Sequence, residues 1–100
     1  MKKLLPLVCI LATSALAADK KIVFVAGKPS HGPGEHEHRA GCLLLKSCLD
    51  TIPGINSVVY SNGWPEEATA FDGADSIVLY MDGGAAHPAL QNGRLEKLDA

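Results

Sequence analysis

Clustered positive charge, aromatic side chains and long apolar runs are all scarce in this 100-residue sequence. Lysine and arginine total 9 and are scattered along the chain, and aromatic residues make up only 5% of it. Nucleic-acid surfaces combine a basic cluster with aromatic side chains, so nucleic acid is not an expected partner. The apolar run at residues 4–12 is too short to span a bilayer.

An export signal is predicted at residues 1–17. Two lysines precede the short apolar run, and a small-x-small cleavage pattern ends at Ala17. A lipoprotein signal built on Cys9 is disfavoured, because Val8 is larger than the residue that normally precedes such a cysteine. A short anchor that stays attached is the other alternative. We expect cleavage after Ala17 and a periplasmic or secreted protein.

The mature chain, residues 18–100, is predicted to be one small acidic domain. Loss of Lys2 and Lys3 from the nine basic residues leaves seven against eleven acidic ones, a formal charge of about −4. No stable membrane span is expected to remain after cleavage. Residues 88–100 begin a helical pattern that stops without a terminating glycine or proline. We therefore expect a sheet truncated after about three strands, as the amino-terminal part of a larger domain.

The two mature cysteines are predicted to be buried thiols rather than a disulfide. Cys42 and Cys48 lie six residues apart in one predicted helix, which separates them by about 9 Å along the axis, beyond the reach of a disulfide. An alternative makes Cys42 a nucleophile or metal ligand one turn after His38. The apolar stripe that accounts for both as core residues consists of Gly41, Cys42, Leu44, Leu45, Cys48, Leu49 and Ile52.

Strand-like and helix-like segments alternate along the mature chain, which predicts an α/β fold with a parallel sheet. In the common doubly wound order 2-1-3, strands one and three are neighbours. Ligands bind at the switch point between them, where the connections turn to opposite sides of strand one. The loops after strands one and three hold all four histidines, so we expect these side chains to face a common cleft. The predicted strands are residues 21–26, 57–60 and 76–81, and the predicted helical segments are 35–51, 66–71 and 88–100.

Three histidines in the first of these loops predict a site for a metal ion or a polar ligand. In a regular helix His36 and His38 would point about 200° apart, so one ion could not bind both. The predicted open, zinc-like site combines His31 with His36 or His38 and is completed by Asp82, His87 or water. Two alternatives remain, which are ligand binding without metal and a structural role in which the neighbouring glutamates favour the helix start. Candidates for catalysis are His31 and His38. The pattern is not His-Glu-x-x-His.

Further ligand-binding candidates flank the histidines. Ser30 and Glu35 belong to the same histidine-rich segment. The Gly83-Gly84 pair could let backbone amides approach a ligand, although two glycines more often form a turn. Trp64 could stack on a sugar from the loop after strand two, although a lone tryptophan more often covers the core.

Several of these segments resemble a known family. They are KIVFVAGKPSHGPGEHEHRAG (residues 21–41), FDGADSIVLY (71–80), the glycine pair at 83–84 and His-Pro at 87–88. Together they resemble the amino-terminal half of a ThuA-like (trehalose utilisation) domain. The resemblance implies a flavodoxin-like doubly wound parallel sheet of the class I glutamine-amidotransferase-like type, a role in carbohydrate utilisation and a small-molecule carbohydrate as partner. In amidotransferases of this fold the nucleophilic cysteine follows a later strand.

Two hypotheses of function follow. The first is an exported sugar-processing enzyme, in which a divalent metal such as zinc, or a histidine base, acts on a hydroxyl or carbonyl group of a saccharide derivative. The alternative is a non-catalytic sugar- or metal-binding module of the same fold. The sequence does not decide between them.

Overall fold

The structure of the protein, a computed structural model, describes residues 18–99 and shows a mixed α/β fold. The predicted export signal and Cys9 lie outside the described residues. Within the described part of the chain, no helix is both long enough and apolar enough to cross a membrane. The elements are strands β1 (Lys20–Ala26), β2 (Ile55–Tyr60) and β3 (Ser76–Tyr80), helices α1 (His38–Leu49) and α2 (Arg94–Leu98), and two short 3-10 turns (Gly84–Ala86 and Pro88–Leu90).

The three strands form one parallel sheet in the order β2-β1-β3, which confirms the predicted strand order. β1 is the central strand, and its apolar side chains explain why. Val23 and Val25 are wholly buried, and Phe24 is only 2% exposed. A strand covered on both faces needs a continuous apolar run, and β1 supplies it. Because all strands are parallel, the loops that follow β1, β2 and β3 open at one edge of the sheet, called here the carboxyl edge.

Helix α1 covers one face of the sheet. Its wholly buried Cys42 packs in a core cluster with Phe24 and Ala26. A polar contact fixes the end of the helix, where Lys46 Nζ donates hydrogen bonds to Asp50 Oδ2 at 2.7 Å and to the Ser57 carbonyl oxygen at 2.7 Å. The hydrogen bond from Lys46, followed by one from the Ser57 hydroxyl, holds the pKa of the Asp50 carboxyl below its usual value.

Two predicted helices were wrong in their bounds. α1 begins at His38 rather than at residue 35, because Glu35 and Glu37 bond to loop amides instead of entering the helix. The predicted helix over residues 88–100 is a 3-10 turn followed by the short α2, since Asn92 (φ 56°) and Gly93 (φ 64°) adopt left-handed backbone angles that interrupt it. Residues 66–71, predicted as a helical turn, lie in a series of hydrogen-bonded turns.

The predicted burial of the α1 stripe was wrong for most of its members. Cys48 is exposed, and so are Leu44 (64%), Leu45 and Ile52. Both Cys42 and Cys48 are free thiols, as their spacing predicted, and burial raises the pKa of the Cys42 thiol.

The exposed Leu44 and Leu45 of α1 share one side of the helix, and the exposed Ile52 lies just beyond its end. The exposed Leu43 lies on another side. Gly41 lies against Tyr80 of β3, because a Cβ at Gly41 would stand 2.6 Å from Tyr80 Cε1. Leu44 and Leu45, three and four residues further on, point to the same side as Gly41. We call Leu44, Leu45 and Ile52 the apolar flank of α1.

Candidate functional site

Two loops at the carboxyl edge bring together two imidazoles and one carboxylate. His31 and His36 lie in the loop after β1 (residues 27–37), and Asp82 lies in the loop after β3. One potential ligand atom from each lies within 4.8 Å of the others. His36 Nδ1 stands 3.0 Å from Asp82 Oδ2, and His31 Nε2 stands 3.7 Å from the same oxygen. We call these three residues the His-Asp group.

Ser30 completes the immediate surroundings of the carboxylate. Its hydroxyl donates a hydrogen bond of 2.9 Å to Asp82 Oδ2 and lies 3.3 Å from His36 Nδ1. The Ser30 hydrogen bond, followed by that of His36 and the nearby charges of His38 and His36, holds the pKa of the Asp82 carboxyl below its usual value. Asp82 is therefore ionised at neutral pH and presents a negative charge to a cation.

Both histidines of the group have a left-handed backbone conformation, which is uncommon for residues other than glycine. The φ angles are 62° at His31 and 46° at His36. Carboxylates within the loop support this geometry, since Glu35 Oε2 accepts from the Gly32 amide at 2.9 Å and Glu37 Oε1 accepts from the Gly34 amide at 2.8 Å. Backbone strain of this kind persists where the surrounding structure enforces it, commonly at functional sites. Glu35, a predicted ligand-binding residue, is engaged here in holding the loop.

His38 lies beside the His-Asp group but outside it. The residue is 4% exposed, and its Nδ1 stands 3.2 Å from the carbonyl oxygen of Lys28. Its ring meets Tyr80 edge to face, with centroids 5.0 Å apart. Gly27 leaves room for the His38 ring, because a Cβ at this position would stand only 3.1 Å from His38 Nδ1.

The four histidines were predicted to face a common cleft, but the structure places His87 apart from the other three. His87 caps the 3-10 turn at Pro88–Leu90, where its Nδ1 accepts a hydrogen bond from the Ala89 amide at 3.2 Å. The group of metal-binding geometry found in residues 18–99 does not include His87. Gly83 and Gly84 form the turn before it, with φ angles of 147° and 50°. Gly83 has no room for a side chain, since a Cβ would stand 2.8 Å from His87 Cα.

Trp64 is already engaged within the fold. Its indole meets Phe71 edge to face, with ring centroids 5.3 Å apart, and the Arg94 guanidinium lies 4.9 Å from its ring centroid. Trp64 thereby links the segment after β2 to α2. The Arg94 guanidinium covers one face of the indole ring.

The loops after all three strands enclose a cavity of about 510 Å³ next to the His-Asp group. Asp82 belongs to both, and Ser30, which bonds to Asp82, also lines the cavity, so a ligand there would reach the group directly. Sequence reasoning missed several of its polar lining residues. The Asn-Gly turn signal after β2 could have placed one of them at the same edge. The missed residues are Lys28, Asn62, Glu66, Gln91 and Arg94.

Two imidazoles and one carboxylate form a donor set that could hold a divalent metal ion. Catalytic zinc sites commonly combine two histidines, one carboxylate and an open fourth position. An ion there would be reached from the adjoining cavity. Comparisons with known protein families, with curated proteins and with solved structures found no match to this chain. Function is therefore inferred from the chemistry of the carboxyl edge.

Proposed function

We propose that this protein is the amino-terminal part of an exported ThuA-like domain, with a flavodoxin-like sheet, and that it serves in carbohydrate utilisation. In this proposal a divalent metal, such as zinc, is held by His31, His36 and Asp82. The bound metal would supply a Lewis acid that polarises a hydroxyl or carbonyl oxygen of the sugar. Residues 18–100 carry this site.

The observation that carries the proposal is the convergence of the His-Asp group from two distant segments. His36 and Asp82 are 46 residues apart in sequence, and their side chains meet at 3.0 Å. They meet between the ends of β1 and β3. In the order β2-β1-β3 this is the topological switch point, because the connections from β1 run to opposite sides, and ligands of open parallel sheets bind at such points. Strained backbone at His31 and His36 supports a functional role for the same loop.

The adjoining cavity supports a polyhydroxylated ligand. Its lining mixes amide, hydroxyl, carboxylate and cationic groups with the aromatic side chain of Trp64. Sugars need many hydrogen-bonding partners and some apolar surface, and its volume of about 510 Å³ is in the range of small-molecule sites. Ser30 and Asp82 would face the end of the sugar nearest the metal.

Metal retention and sugar turnover test this proposal. The protein from the complete reading frame is stripped of metal, titrated with Zn²⁺ by calorimetry, and assayed against a panel that includes trehalose. We expect His31→Ala and Asp82→Asn each to weaken zinc binding tenfold or more, because each removes one ligand. Leu44→Ala is the control, since this exposed residue lies on the apolar flank.

The outcomes separate the two hypotheses of function. Zinc binding with zinc-dependent turnover supports the enzyme. Zinc binding with sugar binding but no turnover supports the non-catalytic module of the same fold. A wild-type protein that retains no divalent cation, or a His31→Ala variant that binds zinc as tightly as wild type, would overturn the metal site.

A further inference from the structure

His38 is a buried histidine with one nitrogen left free. Its Nδ1 lies 3.2 Å from the Lys28 carbonyl oxygen, and a carbonyl can only accept, so Nδ1 carries the proton. In the neutral ring Nε2 then holds a lone pair. Nε2 has no hydrogen-bond partner among residues 18–99, although His38 is only 4% exposed.

The ring of His38 lines a cavity together with the histidines of the His-Asp group. No buried side-chain nitrogen or oxygen in the described part of the chain lacks a partner, so the unpaired Nε2 must reach open space. A cavity of about 540 Å³ provides that space, and His31, His36 and His38 all line it. His38 therefore borders the same cavity as the two imidazoles of the His-Asp group.

The geometry expected from a regular helix does not apply to this pair. His36 precedes α1 and has a left-handed backbone, so it is not forced to point away from His38. The two ring centroids are 5.9 Å apart and the rings are tilted by 37°. Two imidazoles on one tetrahedral zinc have centroids about 5 Å apart, since each Zn–N bond is about 2 Å long. The observed spacing is wider than this, and His38 is not among the residues whose ligand atoms lie within 4.8 Å of one another, so its ring would have to move towards the ion when the ion binds.

The Lys28 carbonyl gives His38 the support that metal-binding histidines normally have. Such a histidine usually donates its other ring N–H to a carboxylate or a backbone carbonyl, which fixes the tautomer and the orientation of the ring. Lys28 and His38 belong to the same loop and helix start that position His31 and His36. The contact of the His38 ring with Tyr80 restricts it further.

We propose that His38 Nε2 is an additional ligand of the cation held by the His-Asp group. This inference rests on the proposed function, because it presupposes that a divalent cation binds there. His31, His36, His38 and Asp82 would then hold the ion together, and the ion would still supply the Lewis acid of the proposed function.

His38→Asn separates the ligand role from the structural role. The asparagine side-chain amide can replace Nδ1–H as donor to the Lys28 carbonyl, but it has no atom in the place of Nε2. We expect zinc affinity to fall tenfold or more, and the melting temperature of the metal-free protein measures separately what the loss of ring packing on Tyr80 costs. His87→Asn is the matched control, because asparagine is also a good helix cap and His87 does not line the cavity that the other three histidines border. Its zinc affinity should equal that of wild type.

A count of bound imidazoles gives a second measurement that does not depend on any variant folding. In Cu²⁺-loaded wild-type protein, pulsed electron paramagnetic resonance should detect His38 in addition to His31 and His36, and His38→Asn should lose one imidazole. If wild type shows only two imidazoles, or His38→Asn keeps wild-type zinc affinity while His31→Ala loses it, the ligand role of His38 is refuted and the proposed function stands. If wild type binds no cation, both fail.

Discussion

The carboxyl edge and the apolar flank of α1 differ in whether their side chains find partners among the described residues. At the carboxyl edge, Ser30, Asp82 and His36 bond to one another. On the apolar flank, Leu44 and Ile52 are 64% and 48% exposed, without a covering element in residues 18–99. A polar site can be completed by two short loops, whereas an apolar surface needs another surface of matching extent. Contiguous exposed apolar surface usually marks a contact region.

The largest difference between a buried and an exposed apolar side chain should appear on truncation. Phe24→Ala should lower the free energy of unfolding by about 3–5 kcal/mol, because Phe24 is 2% exposed and packs on Cys42. Leu44→Ala should change it by less than about 0.5 kcal/mol, since its side chain is mostly exposed. Urea denaturation of both variants measures the difference. A large loss in Leu44→Ala would show that the apolar flank is covered in solution.

At the carboxyl edge, loss of one hydroxyl should weaken ion binding with little effect on stability. Ser30→Ala removes the main hydrogen bond that lowers the pKa of the Asp82 carboxyl, so this pKa should rise towards its ordinary value. We expect about tenfold weaker zinc binding, the usual effect of removing a group that supports a metal ligand. Calorimetric titration measures it.

Ser47→Ala is the matched control for Ser30→Ala. Its hydroxyl bonds to the Leu44 carbonyl oxygen within α1, away from the His-Asp group. Zinc affinity should be unchanged in this variant. Equal affinity in both serine variants would contradict the supporting role of Ser30.

The smallest perturbation is chemical labelling, which compares the two thiols of α1. Cys48 is exposed and should react quickly with a thiol reagent in the folded protein. Cys42 is wholly buried and its thiol pKa is raised, so it should react only after unfolding. Mass spectrometry after timed labelling measures both rates. Rapid labelling of Cys42 would show that α1 is not docked on the sheet.

Strand order and the position of the site were predictable because they depend on patterns that the sequence carries directly. The continuous apolar run of β1 indicated a central strand, and the parallel α/β pattern placed the loops after β1 and β3 at one edge. The exposure of Cys48 and Leu44, which were predicted to be buried, could not be foreseen from the sequence. Helical spacing shows which residues share a side of a helix, but not whether another element covers that side.

Details of the site depended on backbone geometry that residue types do not reveal. The start of α1 at His38 follows from bonds between the Glu35 and Glu37 carboxylates and loop amides, which compete with helix formation. The positive φ of His36 is rare outside glycine, so a sequence pattern would not indicate it. That angle decides how the rings of His36 and His38 are placed relative to each other.

The pairing of β1 with β3 has a consequence for the time course of folding. His36 and Asp82 can meet only after β3 has docked on β1, and β2 lies between them in sequence. Contacts between segments this far apart form late, because a long loop must close first. The His-Asp group is therefore not assembled in chains in which β3 has not yet docked. A cation that binds it would stabilise the folded state alone and would report that the sheet has been completed.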